Sequence, residues 1–117
     1  MAIEEGDTVD VIHRDRDTGD VILTIADQLD WSDQTRHLAL LQTKVYRYLD
    51  FVEGGEIAAS YPSSVCRRKI IEVVFRYQPV QLAKDLLQAL GNHAREADIQ
   101  LRWKHVAEPS ADVNPEK

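Results

Sequence analysis

Three aspartates, Asp27, Asp30 and Asp33, stand at equal spacing around Trp31 in the stretch ADQLDWSD (26–33), and no other segment offers a better candidate for chemistry. On a helix, carboxylates at i, i+3 and i+6 can converge, and a hard cation requires several such oxygens. Calcium loops readable from sequence, however, interleave their acids at alternate positions around a fixed glycine, and this stretch does not. A helix entrance accounts for more of it. Asp30 and Ser32 are preferred N-cap types, Asp33 falls in the first turn where negative charge meets the positive helix end, and Trp31 plugs the helix start. Asp27 is left over, because the cap does not need it.

The remaining chemical side chains are sparser. His13, His37, His93 and His105 fall in no metal-ligand spacing and read as structural residues. His37 lies four residues after Asp33 and is placed to pair with it along the helix. Cys66 precedes Arg67, Arg68 and Lys69, charges that favour a thiolate, but without a recognisable histidine partner it reads as an ordinary loop cysteine. There is no P-loop, no G-x-G-x-x-G, no G-x-S-x-G and no Ser-x-x-Lys. The residues imply no catalytic set, no cofactor and no metal; a small metal- or cysteine-dependent enzyme is the least favoured reading.

Composition narrows the class further. The 117 residues, 44% of them hydrophobic, suit one domain with a single core. The single cysteine excludes an intrachain disulfide. The N-terminus is acidic and carries no basic segment followed by an apolar run, and no stretch is apolar for the length of a membrane span, so the expectation is a soluble, cytoplasmic protein. The formal net charge of -6 resides at the two ends, in Glu4, Glu5, Asp7 and Asp10 and in Glu108, Asp112 and Glu116 against Lys117, leaving the body formally neutral. Within that body six aspartates lie between Asp15 and Asp33 against one arginine, Arg16, whereas Arg67, Arg68, Lys69 and Arg76 oppose only Glu72. Such a dipolar surface can orient a protein partner, but nucleic-acid binding calls for a net basic face and is not expected.

Several elements must position these groups. Val9, Val11 and Ile12 open a short strand, RDRDTGD (14–20) forms a hairpin turn around Gly19, and the β-branched run VILTIA (21–26) forms the second strand. From Ser32 to Glu53 the period becomes helical, with Leu38, Leu41, Val45, Tyr48, Leu49 and Val52 on one face and Arg36, Lys44, Arg47 and Asp50 largely away from it; Gly54 and Gly55 end it. Residues 56–68 read as a connecting loop anchored by Ile57 and Tyr61. KIIEVVFRY (69–77) is a strand that places Ile71, Val73, Phe75 and Tyr77 on one side. Pro79 suits the first turn of a second helix carrying Ala83, Leu87, Leu90, Ala94 and Ala97, in which Gly91 is a point of early ending or breakage, weaker than alanine by about 1 kcal/mol. IQLRW (99–103) is the last strand, and residues 107–117, with two prolines and few apolar residues, read as a disordered tail.

The order β-β-α-β-α-β, with an antiparallel hairpin followed by crossovers, predicts an α+β fold: a two-layer α/β sandwich with a mixed four-stranded sheet and two helices on one face. One domain spans 8–106, preceded by an acidic arm (1–7). The second sheet face then carries Ile12, Ile22, Thr24, Ile70 and Val74 among charges, more apolar surface than a solvated face requires. Either a partner covers it or the tails and the 56–68 loop do.

The pattern VILTIADQLDW, followed by HLALLQTKVYRYLDFVEGGEI and then YP before a strand, resembles a family of small bacterial proteins known as a domain of unknown function. The likeness runs over about residues 8–104 and is most specific in the Asp-x-Leu-x-Trp element joined to the Leu-Leu-Gln-x-Lys helix. It implies a compact, recurrent α/β domain and brings no activity or ligand with it.

These readings lead to a non-enzymatic protein-interaction domain that self-associates or binds a protein through its second sheet face (Ile12, Ile22, Ile70, Val74) or an edge strand. An inhibitor or immunity protein that meets a basic target through the acidic 15–33 edge, with Asp27, Asp30, Trp31 and Asp33 in contact, is the alternative. No membrane partner is expected.

Overall fold

A computed structural model describes residues 11–62 and 67–106. The acidic arm at 1–7, the strand start at Val9, Cys66 and the tail at 107–117 lie outside the described residues.

The chain runs β1 (Val11–Arg14), β2 (Val21–Asp27), α1 (Gln34–Glu53), α2 (Glu56–Ser60), β3 (Lys69–Phe75), α3 (Gln81–Glu96) and β4 (Ile99–His105). The four strands form one sheet in the order β1-β2-β3-β4. β1 pairs antiparallel with β2, and β2, β3 and β4 are parallel, with Leu23, Ile71 and Leu101 in register. The mixed sheet and α+β architecture are those expected, with one addition: Glu56–Ser60, read from sequence as loop, is a short helix. It starts from Gly55, whose φ of 87° reverses the chain after α1, and it buries Ile57 at 2% exposure.

Alternation decides which side of the sheet is the core. Val21, Leu23 and Ile25 of β2 and Ile71, Val73 and Phe75 of β3 project to the same side, and all six are buried together with Leu41, Val45, Tyr48 and Leu49 of α1, Ile57 of α2 and Leu87, Leu90 and Ala94 of α3. All helices therefore cover one face. At about 25 cal/mol per Å² of apolar surface removed from water, this single cluster is the main source of stability. Tyr48 completes it by donating its hydroxyl to the carbonyl of Thr24 at 2.9 Å, so the one polar atom it carries inward is satisfied.

Three expectations about the helices are corrected. Lys44, assigned to the outward face of α1, is fully buried; it sits one turn before Tyr48, with Nζ 5.7 Å from that ring centre. Pro79 does not occupy the first turn of α3; it precedes the N-cap residue Val80. α3 also continues unbroken through Gly91 to Glu96; an added methyl at 91 would stand 4.0 Å from Leu101 Cβ, an ordinary contact, so packing against β4 holds the helix through this position. The Ala97–Asp98 link then turns the chain into β4, with Asp98 at φ 62°.

The second sheet face also differs from expectation. Ile12 pairs with Leu23 and so lies on the helix side, packed against the core. The hairpin turn sets this: with Arg14 opposite Val21, even-numbered residues of β1 face odd-numbered residues of β2. Ile22 and Ile70 do lie on the second face, but they are 4% and 2% exposed, while Thr24 and Val74 on that face are half-buried. The same face carries Glu72, which accepts from Arg102 at 3.0 Å and lies 3.9 Å from Lys104.

The hairpin turn is held by its acids. Asp15 Oδ1 accepts from the amides of Asp17 and Thr18, Gly19 donates to the Asp15 carbonyl, and Asp20 meets Arg68 at 2.7 Å. Gly19 has φ 80°, and an added Cβ would stand 2.6 Å from the Arg67 guanidinium that donates to the Gly19 carbonyl. Gly19→Ala is expected to lower the urea-unfolding free energy by about 1–2 kcal/mol through left-handed strand-turn strain and displacement of Arg67, with the denaturant slope unchanged.

Candidate functional site

Two places remain as candidates: the polar cluster at the end of β2 and the open edge of the sheet at β4.

The first begins where the sheet runs out. Asp27 is the last residue of β2, in register with Phe75, and its carbonyl accepts from the amide of Arg76 at 2.9 Å. Its side chain turns toward the helices and is 1% exposed. There Oδ1 accepts from the Leu29 amide at 3.1 Å, and the two carboxylate oxygens stand 2.8 and 2.6 Å from His37 Nε2. The other ring nitrogen, Nδ1, is 2.9 Å from the carbonyl oxygen of Asp30. A carbonyl can only accept, so Nδ1 carries a proton and donates it. The short contact at Nε2 requires a second proton between imidazole and carboxylate. The pair is net neutral whichever partner holds that proton, which is how it tolerates burial.

Trp31 closes the cluster. Its indole stacks on the His37 ring at 3.6 Å with 14° between planes and also meets Phe75 at 6.2 Å. The indole Nε1 is buried without an acceptor among the described residues, at a cost of about 1–3 kcal/mol that the stacking and burial must offset.

Of the candidates from sequence, Asp27, Trp31 and the backbone of Asp30 gather around His37, while Asp33 stands apart. Asp33 is the N-cap of α1, accepting from the Arg36 amide at 3.2 Å, in place of Asp30 or Ser32. The Asp30 carboxylate binds the Ser32 amide and hydroxyl instead. His37 pairs with Asp27, not with Asp33: the capping carboxylate is already held by the backbone, and the ring turns inward. Of the acids of 15–33, Asp20 and Asp27 are buried, Asp15, Asp30 and Asp33 bind local backbone, and Asp17, Asp30 and Asp33 are exposed. Among the described residues no three His, Cys, Asp or Glu side chains gather as a metal site.

Burial holds the Asp27 carboxyl above its ordinary value of 3.8, opposed by the His37 and Leu29 hydrogen bonds. Three other carboxyls go the other way: Asp15 is lowered by the Thr18 and Asp17 amides, Asp20 by Arg68 and Asp30 by the Ser32 hydroxyl and amide.

The second place was not singled out by sequence. β4 ends the sheet, and among the described residues no strand pairs with its outer side. Val106 donates to the Phe75 carbonyl, so by alternation Arg102 and Lys104 also point their backbone groups at β3, and Leu101, Trp103 and His105 point theirs outward. On the helix side, Leu101 and Trp103 with Leu87 and Gly91 floor a groove of 400 Å³ between β4 and α3, rimmed by Lys84, Gln88, Asn92 and Arg95. Trp103 is 36% exposed, edge-on to Phe75, with the Lys84 ammonium 5.9 Å from its ring. The periodic sequence signal was the Ile99-Leu101-Trp103 alternation, but nothing in a single sequence says which strand lies at an edge.

This fold, a mixed four-stranded open sheet with β1 and β4 at its edges and its helices on one side, is that of an α+β domain. The chain belongs to a family of unknown function, DUF6572, whose family model matches residues 1–107. No curated protein and no solved structure matches it. No described helix is long and apolar enough to cross a membrane.

Two outcomes follow from the buried pair. His37→Ala leaves a desolvated carboxylate without its partner and is expected to lower stability by about 3–5 kcal/mol at neutral pH, whereas the Asp27→Asn/His37→Ala double variant loses less than the two single losses added together. Because the folded-state pKa of Asp27 is raised, its contribution is fully present below pH 3.8 and is lost as pH rises through the folded value. In urea titrations the stability of the natural chain relative to Asp27→Asn should therefore fall as pH rises from below 3.8; a relative stability that climbs over that interval would contradict the assignment.

Proposed function

We propose that this chain is a non-enzymatic protein-interaction domain that engages its partner along the open edge of β4. The observation that carries the reading is that, among the described residues, no strand pairs with this edge: a seven-residue strand without proline or bulge, its outward amides and carbonyls beside exposed apolar side chains. Natural sheets usually blunt or cover such an edge, and an uncovered one is a template for another strand.

Further apolar surface collects at the same end of the molecule. Tyr77 follows β3, Leu82 lies in the first turn of α3, Trp103 is on β4 and Val106 follows it; all are exposed, Leu82 at 57%. Against a catalytic role for the other candidate stands its closure, since Asp27 and His37 are each 1% exposed beneath Trp31. The inhibitor reading has less support, because of the 15–33 acids Asp20 and Asp27 are buried.

A photo-crosslinking residue placed at Trp103 in the full-length chain tests this, with the same residue at Gln42 on the exposed side of α1 as control. Crosslinks to another polypeptide, from position 103 and not from 42, in cells that express the protein at natural level are the expected result. Equal yields from both positions would overturn it.

A further inference from the structure

The chemistry on the two sides of β4 specifies what kind of strand the edge takes, an inference that rests on the interaction reading above. A strand laid along β4 continues the pleat, so its alternate side chains fall on opposite faces of the sheet. Those on the helix side meet the groove floored by Leu87, Gly91, Leu101 and Trp103. Those on the other side lie beside Arg102 and Lys104: Arg102 meets Glu72 at 3.0 Å and also acts on Asp15 and Asp20, whereas Lys104 is exposed and lies 3.9 Å from Glu72, the cation left most open to an incoming acid. The groove rim adds Lys84 and Arg95 and no acid. Gly91 contributes by its missing side chain, which keeps the floor low enough for an incoming apolar group.

We propose that the occupant of this edge is an extended segment of a separate protein in which acidic and aliphatic residues alternate: aliphatic groups in the α3–β4 groove, acids beside Arg102 and Lys104. Charge argues against a second copy pairing β4 with β4. Such a two-fold pairing puts the Arg102–Lys104 sides of both strands on one sheet face and brings the exposed Lys104 of each copy to the same face, where like charges across strands are destabilising.

The probes are three fluorescein-labelled, end-capped octapeptides, (Glu-Val)4, (Lys-Val)4 and (Glu-Ser)4, titrated with the full-length protein by fluorescence anisotropy at low ionic strength. (Glu-Val)4 is expected to bind at least tenfold more tightly than either of the others, to weaken at least tenfold in Lys104→Glu, and to be unchanged in Gln42→Glu. Both substitutions are at exposed positions, and each variant is checked by circular dichroism for the native fold. Equal binding of (Glu-Val)4 and (Lys-Val)4, or indifference to Lys104→Glu, would overturn the proposal. A concentration-dependent dimer in sedimentation that Trp103→Glu abolishes and (Glu-Val)4 competes away would overturn it in favour of a second copy. Crosslinking from position 103 without preference for (Glu-Val)4 removes the acidic-strand assignment while leaving the interaction reading in place; loss of both removes both.

Discussion

A carboxylate placed at the end of a buried parallel strand must find a proton donor or remain uncharged, and Asp27 finds His37. That contact joins the last residue of β2 to the first turn of α1 across only the 28–33 loop, which the Leu29 amide, the Asp30 carbonyl and the Trp31 ring tie to the same two side chains. Once the first turn of α1 is fixed there, Leu41, Val45, Tyr48 and Leu49 descend onto Leu23, Ile25 and Val73, and the helix layer acquires its direction. The crossover to β3 and the position of α3 follow from that first placement. A buried ion pair need not exceed a hydrophobic isostere in stability, but it penalises every alternative entry angle of α1, in which a polar group would be left without a partner.

The same contact explains where the molecule is closed and where it is open. In parallel α/β sheets the carboxyl ends of strands are the usual place for ligands. Here β2 ends under Trp31 and β3 ends at Phe75, which packs against both Trp31 and Trp103. The aromatic row seals the middle of that edge and leaves β4 unsealed. The asymmetry is also visible along β4 itself, which is buried at Ile99 and becomes exposed from Trp103 onward as the strand leaves the shelter of α3.

Much of this architecture was legible in the sequence because it rests on period. Alternation in 21–26 and 69–75 and the three-four spacing of α1 and α3 each name a buried face without reference to the rest of the chain. What failed was information carried between elements. The side of the sheet taken by Ile12 depends on the parity of the hairpin register, the inward position of Lys44 depends on what surrounds α1, and Glu56–Ser60 is too short to show a period. The Asp27–His37 pair spans ten residues from a strand end to a helix turn, a spacing that matches no helical or strand repeat. Its one trace was negative: Asp27 had no use as a cap. The open edge at β4 was invisible for the same reason, because strand order is a property of the assembled sheet.

The claim that the protein is closed at β2 and open at β4 predicts a specific pattern of backbone protection. Native-state amide hydrogen exchange, resolved residue by residue, reads it directly. The amides of Arg102, Lys104 and Val106, which face β3, should be strongly protected, and those of Leu101, Trp103 and His105 should exchange at least a hundredfold faster. Uniform protection from Leu101 to Val106 would mean that the edge is already covered in the isolated chain, and would contradict the account.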